Sequence, residues 1–182
     1  MMELKGEIYM DNRTTAKTVF IHVLEYPARK VIFKRGKNAM DYLNYIKEVD
    51  CAVWETLCNI KGALYEPVGM WLPDKFRQPN TSIYLLGVEV PYHFCDTIPE
   101  GFEIIDLPAC KMMIFQGQPF DDNEYECPVQ ELWNSIKAFD PSLYGFVWDD
   151  SAPRIQLEPQ GYRGCIEGCA VKEITVQNWW RS

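Results

Sequence analysis

The stretch Leu107–Gly117, LPACKMMIFQG, decides how this chain is organised, because it has a counterpart earlier in the chain in Tyr26–Gly36, YPARKVIFKRG. When the two are aligned, Pro, Ala, Lys and Gly coincide, and most of the other pairs are apolar against apolar. The offset between them is 81 residues (108 − 27). In the second copy, the apolar stretch predicts a β-strand that Pro108 kinks, whereas in the first copy Pro27 breaks the strand and 29–34 forms the next strand or its continuation.

A second pair of matching segments follows in the same order. Cys51–Lys61 aligns with Cys127–Lys137 at an offset of 76 residues (127 − 51), and Cys, Val, Glu, Ile and Lys coincide. Two matches in the same order indicate an internal duplication. Two copies of related shape leave a seam between them, and we expect the functional site to lie at that seam.

The hydrophobic pattern predicts the element order strand–helix–strand–strand in both copies. In the first copy, apolar residues at steps of three and four predict one long helix that Asn38 caps and Gly62 ends. In the second copy, a helix carries Pro128 in its first turn and ends at Asp140-Pro141. The predicted strands cover 17–25, 29–34, 68–72 and 81–91, then 102–116, 145–148, 155–157 and 162–174.

These elements predict an α+β fold with an antiparallel sheet and one domain over residues 17–177. Its two units cover about 17–91 and 102–175. The strand at 145–148 matches the strand at 68–72 by position. We expect residues 1–16 to form an N-terminal arm and residues 178–182 a C-terminal tail.

Composition narrows the classes of function. The net charge of −8 and the pI near 4.8 argue against nucleic acid and anionic membranes as partners, and they favour cationic or neutral ligands. The seven cysteines form no Cys-x-x-Cys motif, a pattern that is typical of reduced thiols in a cytoplasmic protein. Because there are only two histidines and no zinc-type spacing, we expect no metal site, and no motif indicates a cofactor.

Three motifs accompany the duplication: YLLGVEV at Tyr84–Val90, LPACK at 107–111 after IPEGFEIID, and CIEGCAVK at 165–172. In this order they resemble the GyrI-like family, which comprises DNA gyrase inhibitor and the effector-binding domains of bacterial multidrug-responsive transcription activators. The resemblance covers roughly residues 20–175. It implies a small-molecule-binding domain with a ligand cleft at a pseudo-twofold seam.

Two departures from the family pattern are visible. No DNA-binding segment precedes the domain, so we expect a stand-alone form and not a DNA-binding activator. Family members often carry a Glu shortly after the Pro that opens the penultimate strand, whereas Gln156 stands near that place here. The tryptophan-rich, stand-alone form also resembles the branch whose members hydrolyse cyclopropane-bearing DNA-alkylating toxins.

The last strand of each unit carries one acid among apolar residues, Glu89 in the first and Glu167 in the second. A carboxylate in an apolar cleft is costly without a partner, and burial raises its pKa, so a bound cation would be favoured. Alternatively, each acid faces solvent or pairs with a nearby Lys or Arg. Glu167, Glu89 and Tyr162 are the candidate catalytic residues.

Aromatic residues on or beside the duplicated elements are the second component of the predicted site. Trp71 and Trp148 hold matching places in the two units, which predicts a symmetric pair that flanks the cleft. Trp133 lies on the apolar stripe of its helix and is assigned to the core. The candidate ligand-binding residues are Trp71, Tyr84, Glu89, Met113, Phe115, Trp148 and Glu167.

Two functions compete on this evidence. A binding module would hold bulky, planar, hydrophobic or cationic molecules without turnover. An enzyme would use one glutamate to orient or deprotonate water, while a tyrosine or protonated acid donates to the oxygen that gains charge as a strained ring opens. A third interpretation, a protein-binding module like the gyrase inhibitor, would require a protein partner and fits the acidic net charge.

Overall fold

The computed structural model describes residues 18–124 and 126–175, and these residues form an α+β structure, as predicted. One antiparallel sheet takes in all the strands of the described ranges, and helices cover one of its faces. The predicted arm at 1–16 and the tail at 178–182 lie outside the described residues. The strands are β1 Phe20–Tyr26, β2 Arg29–Phe33, β3 Val68–Trp71, β4 Tyr84–Pro91, β5 Glu103–Leu107, β6 Cys110–Gln116, β7 Phe146–Trp148, β8 Arg154–Leu157 and β9 Ile166–Glu173, and the helices are α1 Tyr42–Val49, α2 Ala52–Cys58 and α3 Glu126–Ala138.

The two stretches that revealed the duplication are paired with each other. β1 pairs with β6, and β2 pairs with β5, in one unbroken antiparallel register from Phe20 opposite Gln116 to Phe33 opposite Glu103. Each of the two long strands bends at the proline that the sequence repeats, Pro27 in one and Pro108 in the other. Because of these bends, β1 and β6 lie in one half of the sheet, and β2 and β5 lie in the other half.

The order of the strands shows where the halves meet. The sheet runs β1-β6-β9-β8-β3-β4-β2-β5, so the central pair is β3 with β8. Outward from this pair, β4 and β9 occupy equivalent places, followed by β2 and β6. The seam that the sequence predicts therefore runs between β3 and β8.

This order corrects one prediction about the second unit. The counterpart of β3 is β8, because these two strands pair at the centre, whereas β7 lies off the main path and pairs only with β9. Trp71 at the end of β3 and Trp148 at the end of β7 therefore do not hold matching places. The predicted match was wrong because a similar order along the chain was taken for a similar place in the sheet.

The long helix predicted for the first unit is two helices. Asp50 adopts a φ of 77°, outside the right-handed helical region, and this residue separates α1 from α2. Asp41, and not Asn38, caps α1, and its side chain accepts a hydrogen bond from the Asn44 backbone N at 2.9 Å. The helix of the second unit is confirmed, with Pro128 in its first turn and its end before Asp140.

Two clusters of apolar side chains form the core of the described residues. The larger cluster packs α1 and α2 against β2, β3 and β4, and the smaller one packs α3 against β6 and β9. No helix within the described ranges has the length and apolar content that a membrane crossing requires.

A buried ion pair joins β2 to β4 beside the bend at Pro27. Arg29 Nε donates to Glu89 Oε1 at 2.6 Å, and both side chains are almost fully buried. The guanidinium also contacts the carbonyl oxygen of Pro27 at 3.4 Å and lies over the Tyr26 ring. Burial, with the Glu89 charge as the second cause, raises the pKa of the Tyr26 hydroxyl to about 12.

We expect Glu89→Gln to lower the free energy of unfolding by about 3–5 kcal/mol, because Arg29 is left as a buried charge without its partner. The double variant Arg29→Met/Glu89→Leu should recover most of the loss, since neither charge then remains. Urea unfolding measures both effects. Asp74→Asn, which breaks the exposed pair with Arg77, is the control and should cost less than about 1 kcal/mol. A loss of that small size for Glu89→Gln would contradict the structural role of the buried pair.

Candidate functional site

A cleft of about 540 Å³ lies over the seam of the sheet. Its floor comes from the central strands β3, β4 and β8, and its sides come from α2 and the region of α1 in one unit and from α3 in the other. Both units therefore contribute to one concave site. The side chains that matter for its chemistry are Trp54, Trp71, Tyr84, Leu86, Trp133 and Gln156.

Aromatic rings meet edge to face along one side of the cleft. The Trp71 ring centroid lies 4.9 Å from that of Tyr84 and 6.4 Å from that of Trp133. Trp71 Nε1 also donates to the Met40 carbonyl oxygen at 3.0 Å, which fixes the orientation of the indole. These contacts hold the three rings in fixed relative orientations.

Gly69 of β3 makes room for Tyr84 on the neighbouring strand. A Cβ at this position would collide with the Tyr84 hydroxyl, so only glycine allows the phenol to lie against β3. Burial is the main cause that raises the pKa of Tyr84 above its ordinary value. The hydroxyl is thus a neutral donor at the floor of the site.

The Glu167 carboxylate lies behind the cleft wall and is 1% exposed. Its Oε1 accepts hydrogen bonds from Trp133 Nε1 and from Gln156 Nε2, the latter at 3.3 Å. Its Oε2 accepts from both Nε and Nη2 of Arg154, with 2.8 Å to Nε. Burial raises the pKa of Glu167 above its ordinary value, while the Arg154 charge and the hydrogen bonds oppose the shift.

The Arg154 guanidinium completes this group of side chains. Its central carbon lies 4.9 Å from the Trp71 ring centroid and 5.6 Å from that of Trp133. One cation is therefore held by a buried carboxylate on one side and by two indole rings on the other.

The two halves of the sheet supply different residues at equivalent places. β2 pairs with β4 through Ile32 and Val88, and β6 pairs with β9 through Met113 and Cys169, so the same 81-residue offset relates both pairs. The same offset makes Leu86 of β4 and Glu167 of β9 equivalent positions under the pseudo-twofold symmetry. The site therefore has an apolar half and a half with a buried acid.

Glu89 lies away from the cleft, because successive residues of a strand face opposite sides of the sheet. Tyr84 and Leu86 line the cleft, so Glu89, an odd number of residues from both, faces the other side, where it meets Arg29. Of the two acids that the sequence singled out, the structure sets only Glu167 beside the cleft.

Four other predicted site residues lie elsewhere. Met113 and Phe115 are buried beneath α3, and Trp148 packs near the Phe115 ring at 6.2 Å between centroids. Tyr162 lies on the turn before β9 and is 78% exposed. The structure does not bring these four side chains to the cleft, although it brings Trp71 and Tyr84 together there.

Sequence reasoning missed the roles of Trp133, Gln156 and Arg154. Trp133 was assigned to the core because it falls on the apolar stripe, but its indole lines the cleft and binds Glu167. Alternation along β8 was the signal that was available for Arg154 and Gln156, since both fall on one face of that strand. Which face met the cleft required the pairing of β8 with β3 and β9.

Carboxylates surround the mouth of the cleft. The cleft is lined by four carboxylates, those of Asp41, Asp122, Glu126 and Glu158. The arginine beside the cleft, Arg154, is already paired with Glu167. Within the described ranges, no group of three or more His, Cys, Asp or Glu side chains could hold a metal ion. The electrostatic potential at the mouth therefore favours cations.

Comparisons with known proteins agree with this architecture. No family model matches the chain, and no curated protein does. Three solved structures share its fold at 12–14% identity: a Staphylococcus aureus MU50 protein assigned to transcription regulation (TM-score 0.55, 14%), SAV2435 bound to tetraphenylphosphonium (0.52, 14%) and the EcmrR C-terminal domain (0.53, 12%).

The alignments cover nearly all of each relative. The three matches take in 84%, 84% and 85% of this chain and 98%, 94% and 98% of the other chains, in the same order. The chain has the GyrI-like fold, which confirms the fold expected from the duplicated motifs.

We expect Arg154→Leu to lower the free energy of unfolding by about 1–3 kcal/mol at about pH 7, because Glu167 loses its charged hydrogen-bond donor. The pKa of Glu167 then rises further above its unfolded-state value. A carboxyl with a raised folded-state pKa loses stability as the pH rises from its unfolded pKa towards its folded pKa. The deficit should therefore be smaller at about pH 5 than at about pH 7, as urea unfolding at each pH would show.

Arg77→Leu is the matched control, because its partner Asp74 has a side chain that is 90% exposed, so solvent screens the loss of that pair. Equal deficits for Arg154→Leu at both pH values would contradict the coupling of Arg154 to a buried carboxyl.

Proposed function

We propose that this chain binds bulky, aromatic, lipophilic small molecules, with cations preferred, in the cleft between its two units. The observation that carries the proposal is the composition of the walls. Trp54, Trp71, Tyr84 and Trp133 surround a volume of about 540 Å³ beside the buried acid Glu167. Ligand pockets of small molecules are typically about 300–1,000 Å³ and are lined mainly by apolar and aromatic groups.

Charge supports the preference for cations. The four carboxylates at the mouth and the net charge of −8 attract positively charged molecules and repel anions. A cation over an indole ring gains about 0.5–2 kcal/mol. A ligand with flat rings and a delocalised positive charge would use both features.

The shared fold supplies a probe. SAV2435, which has this fold, has been solved with tetraphenylphosphonium, a cation surrounded by four phenyl rings. Tetraphenylphosphonium is therefore the compound with which we would first test this cleft.

We expect tetraphenylphosphonium to bind with saturation in isothermal titration calorimetry, and Trp71→Ala to weaken binding by about 3–30-fold through the loss of ring contacts with the cation. Trp148→Ala is the control, since Trp148 is also a partly buried tryptophan but packs beneath α3. Its affinity should match that of the wild type. Equal losses in the two variants would place the ligand outside this cleft.

Hydrolysis of a strained ring is the competing function, and the raised pKa of Glu167 favours it, because a general base works best when its pKa lies near the working pH. The arrangement around the acid supports it less. Both oxygens of Glu167 already accept hydrogen bonds, and Tyr162 lies on an exposed turn.

Incubation with a cyclopropane-bearing alkylator, followed by mass spectrometry, separates the two functions. We expect the compound to be recovered unchanged after prolonged incubation with protein in stoichiometric amounts. A ring-opened, water-added product that wild type forms and Glu167→Gln does not would establish the enzyme and overturn the non-catalytic proposal.

A further inference from the structure

Two of the indole rings that line the cleft, Trp71 and Trp133, already have a cation of the protein against them. Arg154 binds the buried Glu167 carboxylate through Nε and Nη2 and lies against the rings of Trp71 and Trp133. A carboxylate together with indole faces is also the set of groups that would recognise an aromatic cation brought in from outside. The chain and such a ligand therefore compete for the same partners.

The position of Arg154 allows it to leave. Arg154 stands at the start of β8, directly opposite Trp71 in the register of β3 with β8, so its backbone is fixed while its side chain is long. The Arg154 side chain is 34% exposed, whereas the Glu167 side chain is 1% exposed. The cation can turn into solvent, where its hydration is restored, but the anion cannot.

The consequences of removing the two charges are therefore unequal. If Arg154 swings out with no replacement, Glu167 stays buried without a cation, which is unfavourable. If a ligand cation takes its place, the carboxylate keeps a positive partner, and the freed guanidinium moves towards a mouth lined by carboxylates such as Asp41 and Glu158. Exchange of one cation for another is the route that leaves no buried charge unpaired.

We propose that Arg154 is the resident cation of the cleft and determines its selectivity, because a cationic ligand must displace the guanidinium from Glu167, Trp71 and Trp133. This inference rests on the proposed function of the cleft. It adds that Arg154 lowers the affinity for cations while it leaves the affinity for neutral aromatic compounds of the same shape unaffected. Cations that pair weakly with the carboxylate or stack poorly on the indole rings are thereby rejected, since they cannot replace the contacts of the guanidinium.

The test compares two probes of similar shape on wild type and Arg154→Met. Tetraphenylphosphonium carries the positive charge, and triphenylphosphine oxide is neutral. Methionine keeps an unbranched side chain of related length but removes the charge. We expect calorimetry to show tetraphenylphosphonium binding at least about tenfold tighter in Arg154→Met, since a charged hydrogen-bonded contact no longer has to be broken. The affinity for triphenylphosphine oxide should change by no more than a factor of about two.

Arg77→Met is the matched control. It removes the same charge from a side chain of similar exposure, 30%, whose partner is the exposed Asp74 and not the buried Glu167. If the gain for tetraphenylphosphonium came from net charge alone, Arg77→Met would show it too. We expect its affinity for both probes to equal that of wild type.

Each other outcome has a definite meaning. Unchanged or weaker cation binding by Arg154→Met, with binding by wild type, would overturn the inference and leave the proposed function intact. An equal gain for both probes would also overturn it, since Arg154 would then only fill space. Failure of both proteins to bind either probe would overturn the proposed function, and this inference with it.

A second measurement uses wild type and does not depend on how Arg154→Met folds. In ¹⁵N-labelled protein, the Nε–H resonance of Arg154, assigned by its loss in Arg154→Lys, reports the hydrogen bond to Glu167. We expect saturating tetraphenylphosphonium to shift this resonance to the position of a solvent-exposed arginine and to speed its exchange with water. A resonance that stays in place in the saturated complex would show that the guanidinium is not displaced.

Discussion

The pairing of two bent strands with each other is the constraint on which the rest of this structure depends. Residues 20–33 pair with residues 103–116 in one register before and after the two prolines. Each bend places one part of its strand in each half of the sheet. A slip of one residue would turn every side chain to the opposite face. The Arg29–Glu89 pair lies between β2 and β4 beside the bend at Pro27, where two buried charges satisfy each other only if these two strands keep their register.

This pairing also explains why a symmetric backbone carries an asymmetric site. The two halves repeat the same pairings, so their central strands present equivalent positions to one cleft. Leu86 and Glu167 occupy one such pair of positions. One half of the site is therefore apolar, and the other half has a buried acid. The two halves therefore share a backbone arrangement and differ in the chemistry of their side chains.

The electrostatics of the cleft follow from how the buried acid is satisfied. Glu167 is stabilised by an indole, an amide and a guanidinium, so the carboxylate beside the apolar cleft is neither open to water nor unpaired. Because Arg154 is partly exposed and Glu167 is not, the cation is the mobile member of the pair. A positively charged ligand and Arg154 then compete for the same carboxylate.

The sequence by itself determined the duplication, the α+β class, most strands, and the two acids and several aromatics from which a site had to be drawn, because apolar periodicity and repeated motifs are local signals. It missed the helix break at Asp50. It also matched Trp148 with Trp71, since chain order does not state which strands pair. Only the tertiary structure decided that Glu167 borders the cleft while Glu89 faces Arg29, and that Trp133 and Arg154 belong to the site. The physical reason is that the face of a strand is fixed by its register with neighbours that are distant in the sequence.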